Sequence, residues 1–233
     1  MSSLAQDAKA LMERFRSMPT EKIGSFYNSM DPEAYDEMVR MVNCTESDHI
    51  LAKILEQPGL DASSEIYDVG CGTGLMGRLL HEQGFREIDG MDASEQFVSE
   101  ATRRGHYRSC ESFYLGERML PRERLGRYDL VTAHGVWVPN HMPAKAITDC
   151  VNALKEGGYL ITAMRSYLWK KGEKHGYRDM VDMMIEQGKL QLLETGHFMR
   201  GVEGGDAMFA PQESIYLVAR RVPTPDRGEL PKG

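Results

Sequence analysis

Two acids and three glycines at fixed spacing carry the first chemical signal in this chain. Asp68 stands in a short apolar stretch, Ile66-Tyr67-Asp68-Val69, and glycines follow at alternate positions, Gly70, Gly72 and Gly74. A second acid, Asp92, lies twenty positions after Gly72. Glycine lacks a Cβ and reaches φ > 0 without steric cost, so a strand running into such a turn can bring bare backbone against a ligand. A helix opening at Leu75 would point its first unbonded N–H groups out of the same turn. A turn of this kind seats a nucleoside-bearing cofactor.

Two cofactors compete for it. Gly72-Thr-Gly74-Leu-Met-Gly77 is literally G-x-G-x-x-G, and Asp92 falls where a dinucleotide fold places its ribose acid. Asp68 argues the other way, because a carboxylate just before the glycines would repel a pyrophosphate. S-adenosylmethionine carries a sulfonium and an α-ammonium, which a carboxylate attracts. An NAD-dependent oxidoreductase and a non-catalytic cofactor-binding protein remain the alternatives.

The elements that must hold these residues alternate from Ile66 onward. Strands are expected at 66–69, 88–91, 109–115, 128–134 and 158–164, with helices at 75–83, 94–104 and 143–155 between them, which means a parallel sheet covered on both faces. A helix at 177–187 and two alternating runs, 190–199 and 214–222, close the chain as an antiparallel pair, with a glycine-rich stretch at 201–212 between them. Upstream, Leu4 to Met18 has helical periodicity. Asp31-Pro32 reads as a cap with proline at the first helical position, and Thr45-Glu46-Ser47-Asp48 resembles a capping box. The expected organisation is a helical cover over 1–60, an α/β core over 61–222 and a flexible tail over 223–233.

At 233 residues and 26.3 kDa the chain suits one α/β domain. A net charge of −7 and a pI near 5.6 give no global field for a polyanion, so nucleic acid is not an expected partner. No apolar run is long enough to span a bilayer, and the polar amphipathic start lacks a signal-peptide core; a cytoplasmic protein is expected, of an oligomeric state the sequence leaves open. Cys44, Cys71, Cys110 and Cys150 form no C-x-x-C pair and read as reduced thiols, with no metal site. The arginines from Arg118 to Arg127 read as surface.

The stretch Asp68-Val-Gly70-Cys-Gly72-Thr-Gly74 is similar to motif I of the class I S-adenosylmethionine-dependent methyltransferases. The likeness runs over roughly residues 66 to 165, through DGMDAS, YDLVTAHGV and LKEGGYLI. YDEMV, GFREIDGMD and HGV…NHMP resemble the methyltransferase-like branch encoded in the Williams–Beuren region. The resemblance implies a Rossmann-like, mostly parallel seven-stranded sheet with an antiparallel C-terminal hairpin. It also implies that Gly70, Cys71, Gly72 and Gly74 line the cofactor, that Asp68 organises its ammonium end, and that Asp92, with Ala93 beside it, accepts from both ribose hydroxyls. Many relatives carry an acid after the third strand for the adenine amine. Here Tyr114 stands there with Leu115 following, or Glu111 serves if the register differs.

His134, at the end of the fourth strand, falls where family members meet the methionine end of the cofactor. His134 and His141 are also the candidate bases for an oxygen or protonated nitrogen acceptor, whereas a thioether or halide needs none. Tyr27 and Tyr35 could cap the cofactor from the N-terminal helices, though such aromatics commonly fill core. No N-P-P-Y-type sequence or paired-glutamate loop is present, which favours a small-molecule acceptor over a macromolecule. Arg165, Lys170, Lys171, Lys174 and Arg178 make an acidic acceptor conceivable.

Overall fold

The structure, a computed structural model, describes residues 22–41, 45–200 and 211–223. The expected helix over 4–18, Cys44, most of the glycine-rich stretch and the tail beyond 223 lie outside these residues. Three helices come first: α1 (Ile23–Asn28), α2 (Pro32–Met41) and α3 (Glu46–Leu55). The core then runs β1 (Ile66–Val69), α4 (Leu75–Glu82), β2 (Ile88–Asp92), α5 (Glu95–Arg104), β3 (Ser109–Ser112), β4 (Tyr128–Ala133), α6 (Ala146–Ala153), β5 (Leu154–Arg165), α7 (Tyr177–Glu186), β6 (Leu190–Arg200) and β7 (Gln212–Arg221).

The strands form one seven-stranded sheet in the order β3-β2-β1-β4-β5-β7-β6. Strands β1 to β5 pair in parallel, and β7 pairs antiparallel with both β5 and β6. The sheet therefore has the expected C-terminal hairpin. The order reverses between β1 and β4, and the crevice outside the carboxyl ends of strands at such a switch point is where open α/β sheets take ligands. All four residues of β1 are buried, as a central parallel strand requires.

Two apolar layers sandwich the sheet. On one face Cys150 and Val151 of α6 and Val181 and Met184 of α7 pack with Tyr67, Val131 and Trp137. On the other, Ile50 and Ile54 of α3 and Met76 and Leu80 of α4 pack with Ile66, Leu130 and Ile161. A small third cluster, Phe26, Met30 and Phe97, seats α1 on α5 with Tyr27 and Tyr35 against it.

Element ends depart from the sequence reading where backbone geometry overrides pattern. The helix expected to reach 155 stops at Ala153, since Leu154 is already extended (ψ 144°) and opens β5. Asp31 caps α2 as expected, its Oδ1 accepting from Ala34 N at 2.9 Å. Thr45 is not the anchor of a capping box: its side chain makes no cap bond and reaches Met199 O at 3.5 Å instead. Arg124 is not surface. It is only 8% exposed and donates to Asp89 Oδ2 at 2.7 Å, because that carboxylate, 1% exposed, has to be neutralised where it is buried.

Candidate functional site

The turn after β1 folds back on β2. Gly70 N and Cys71 N both donate to Met91 O, at 2.8 and 2.9 Å; Gly72 N donates to Asp92 Oδ2 at 3.0 Å and Gly74 N to Cys71 O at 2.9 Å. These four N–H groups are thus spent inside the protein. Gly70 has φ +75°, and a Cβ there would lie 2.1 Å from Val136 Cγ1, so no other residue fits. Gly77 answers to a different neighbour: a Cβ on it would stand 2.2 Å from Tyr107 Cζ. The third glycine of G-x-G-x-x-G makes room for a tyrosine ring.

Beside the turn opens a cavity of about 1140 Å³. Gly70, Cys71, Gly72, Asp92 and Ala93 line it from the sheet, and Tyr114, Leu115, His134 and His141 from the following loops. Tyr27 and Tyr35 line it from α1 and α2. Asp68 and Gly74 do not. Asp68 is fully buried behind the turn, where Tyr107 OH donates to its Oδ2 at 2.7 Å and its Oδ1 has no hydrogen-bond partner among the described residues.

Asp92 is the acid that faces the space. Its Oδ1 accepts from Ser94 N at 2.9 Å and its Oδ2 from Gly72 N, which fixes the carboxylate at the end of β2. Burial pushes its pKa up to about 6 despite those two bonds. Glu111 is turned elsewhere, paired with Arg124 Nη2 at 3.0 Å, and is not part of the cavity wall. Tyr114 takes the wall position, with its phenol donating to His141 O.

The N-terminal helices lean over the same space. Asn28 Oδ1 accepts from Ser94 Oγ at 2.8 Å, and Asp36 accepts from Thr73 Oγ1 while pairing with Arg104. Tyr27 and Tyr35 pack on Phe97 with ring centroids 5.4 and 4.8 Å away. Tyr27 OH lies 3.1 Å from His141 Nε2, whose Nδ1 lies 3.1 Å from Pro139 O. That carbonyl can only accept, so it places the imidazole proton on Nδ1 and leaves Nε2 as the acceptor. Burial lowers the His141 pKa, which keeps the ring neutral at pH 7. His134 Nε2 meets Ser47 Oγ at 3.0 Å, and its buried Nδ1 has no partner among the described residues.

Glu46 and Ser47 line this cavity, Tyr107 stands behind its wall on Asp68, and none of the three carries a sequence signal of it. Glu46, 2% exposed, accepts from Gly135 N at 2.7 Å and from Arg200 Nη1 at 2.8 Å, tying α3 to the ends of β4 and β6. Its position after Thr45 suggested a helix cap. Only the tertiary fold turns it toward the sheet.

Among the described residues no group of three or more His, Cys, Asp or Glu side chains is arranged to hold a metal. The residues do fit a nucleoside with a charged tail: a fixed carboxylate on the cavity wall, a buried acid with an unused oxygen behind it, and a turn in which the N–H groups of Gly70, Cys71, Gly72 and Gly74 are already bonded within the protein.

Residues 66–158 match the methyltransferase domain family. Over 131 residues, 56% of this chain, the sequence is 30% identical to methyltransferase-like protein 27 of Homo sapiens, and it spans 53% of that relative's length. Magnesium protoporphyrin IX methyltransferase of Synechocystis PCC 6803, solved with bound S-adenosylmethionine, aligns with a TM-score of 0.57 at 19% identity over 92% of this chain and 97% of that one. The [4+2]-cyclase SpnF aligns with a TM-score of 0.62 at 16% identity over 89% and 98%. These structural likenesses establish a shared fold.

Proposed function

We propose that this chain, whose residues 66–158 match the methyltransferase domain family, is a class I S-adenosylmethionine-dependent methyltransferase that methylates a small-molecule acceptor in the cavity at the sheet's switch point. One observation carries the cofactor reading. The glycine turn uses the N–H groups of Gly70, Cys71, Gly72 and Gly74 internally and has the Asp68 carboxylate buried behind it, which disfavours a pyrophosphate, while Asp92 on the wall suits a ribose diol. In this reading Asp92 holds the ribose hydroxyls, Gly70 to Gly72 border the ribose and methionine portion, and Asp68 acts on the ammonium end from behind the turn. Tyr114 and Leu115 border the adenine, and Tyr27 and Tyr35 close over the cofactor.

Bound S-adenosylmethionine supplies a methyl group on a sulfonium to an acceptor approaching in line. The protein's own task is to align the acceptor, exclude water and receive a proton where the acceptor has one to lose. Holding the partners in reacting geometry is worth on the order of 7–11 kcal/mol at best. His141, neutral and with its tautomer set by Pro139, is the base that suits this work, with Tyr27 OH on its Nε2 as the group to be displaced or to relay the proton. His134 borders the same space at the end of β4. The cavity's size and the chain's acidic balance support a metabolite as acceptor.

The test is transfer of label from methyl-labelled S-adenosylmethionine into fractionated metabolites. Label should appear in a small-molecule fraction, and His141→Ala should lower turnover by about 10²-fold or more while changing cofactor affinity less than about threefold. Label found only in protein or nucleic acid would overturn the acceptor class. Unchanged turnover in the variant would remove His141 from the mechanism.

A further inference from the structure

Tyr107 lies in the connection between α5 and β3, and nothing in its local sequence marks it. Its ring lies in a slot bordered by three glycines, one of which leaves no room for a Cβ. A Cβ on Gly77 of α4 would stand 2.2 Å from its Cζ, one on Gly90 of β2 3.0 Å from its Cε1, and one on Gly74 of the turn 3.3 Å from its Cε2. Real Cβ contacts do not reach the first of these distances. The ring therefore requires glycine at position 77, and Gly90 and Gly74 pass close on its other sides.

The ring ends in a hydroxyl used twice. It donates to Asp68 Oδ2 at 2.7 Å and accepts from Gly77 N at 3.0 Å. Tyr107 so bolts the acid at the end of β1 to the first turn of α4, across the glycine turn that borders the cavity. Asp68 is fully buried, and no described residue donates to its Oδ1. Tyr107 is thus the only side chain whose hydroxyl or amide holds this carboxylate among the described residues. Burial pushes the Asp68 pKa up, against the charge of His134 and the Tyr107 bond, which pull it down. Burial also drives the Tyr107 phenol well up, so it stays a donor at any physiological pH.

A buried carboxylate with one oxygen bonded and the other idle is costly unless a positive charge faces it. The idle oxygen and the low dielectric around it are what a nearby ammonium would exploit. We propose that Tyr107 is a positioning residue that acts through Asp68 to set affinity for the ammonium-bearing tail of a bound S-adenosyl amino acid, leaving the adenosine half untouched. This rests on the reading that the cavity takes S-adenosylmethionine. It adds a residue whose effect is confined to one end of the ligand.

Two ligands separate that effect from packing. S-adenosylhomocysteine carries the amino-acid tail, and 5′-methylthioadenosine has the same adenosine and sulfur without it. Calorimetric titration of the full chain with both should show Tyr107→Phe weakening S-adenosylhomocysteine about tenfold and methylthioadenosine less than about twofold, the loss expected for one hydrogen bond to a charged group. In an Asp68→Asn background the same substitution should add less than about twofold for S-adenosylhomocysteine, since the charge it serves is gone. Equal weakening of both ligands, no weakening of either, or a full additional tenfold loss in the Asp68→Asn background would overturn the proposal.

Should Tyr107→Phe fail to fold by circular dichroism, Asp68→Asn alone must still separate the two ligands, and an equal effect on both overturns it. A wild-type protein that binds methylthioadenosine but not S-adenosylhomocysteine contradicts the role of Asp68 and Tyr107 while leaving an adenosine site in place. Binding of neither ligand overturns the cofactor reading and this inference with it.

Discussion

At the scale of single residues the proposed ribose contact is Asp92, and its chemistry carries a pH signature. Burial raises its pKa to about 6, against about 3.9 in an unfolded chain. The folded carboxyl therefore holds its proton more tightly than the unfolded one, and the anion that accepts from a diol is complete only above about pH 7. Affinity for S-adenosylhomocysteine should fall roughly tenfold per unit once pH drops below about 6, and Asp92→Asn should bind more weakly with that dependence removed; a flat wild-type profile between pH 5 and 7.5 would contradict the assignment. Asp92 and the glycines were legible in sequence because their signal is local: a strand end, a turn and a spacing of twenty. Tyr107 and Ser47 were not. Their partners, Asp68 and His134, lie 39 and 87 positions away, and no periodicity encodes such a meeting. Asn140, beside His141, adopts φ 66°, a conformation uncommon outside glycine that was equally invisible.

At the scale of elements, a charged cluster outside the cavity joins β2, β3 and β4. Asp89 accepts from Arg108 Nη2 and Arg124 Nη1, both at 2.7 Å, from Ser109 Oγ at 2.7 Å and from Tyr128 OH at 3.0 Å. Burial opposes its ionisation, but those donors prevail and hold its carboxyl at about 2. Its folded pKa lies below the unfolded value near 3.9, so its contribution to stability is complete above about pH 4 and is lost as pH falls toward 2. Asp89→Asn should cost about 3–5 kcal/mol in urea unfolding at pH 7 and should flatten the acid limb of the stability profile. A cost under about 1 kcal/mol would mean that the arginines find other partners. The sequence reading placed Arg124 on the surface because a run of arginines between strands looks solvated, and only the sheet brings Asp89 beneath it. Strand and helix periods located nearly every element. The boundary at Ala153–Leu154 was missed because the extended conformation of Leu154 there follows from pairing with Tyr128, a contact beyond any local window.

At the scale of the whole molecule, the sheet order puts the carboxyl ends of β1, β2 and β4 on one crevice, and α1, α2 and α3 reach across it through Tyr27, Asp36 and Glu46. No described helix is long and apolar enough to cross a membrane. The same fold is shared by a methyltransferase and by a [4+2]-cyclase, so the sheet alone does not dictate methyl transfer. What narrows the choice of cofactor is the glycine turn, where the N–H groups of Gly70, Cys71, Gly72 and Gly74 are bonded within the protein and the Asp68 carboxylate lies buried behind them. The cofactor reading is therefore tested most directly by thermal unfolding of the full chain at pH 7.5 with S-adenosylhomocysteine, S-adenosylmethionine or NAD in solution. Either S-adenosyl ligand at a hundredfold excess over its Kd should stabilise the fold by about 2.7 kcal/mol, while NAD leaves it unchanged. Stabilisation by NAD with none from the S-adenosyl ligands would contradict the account.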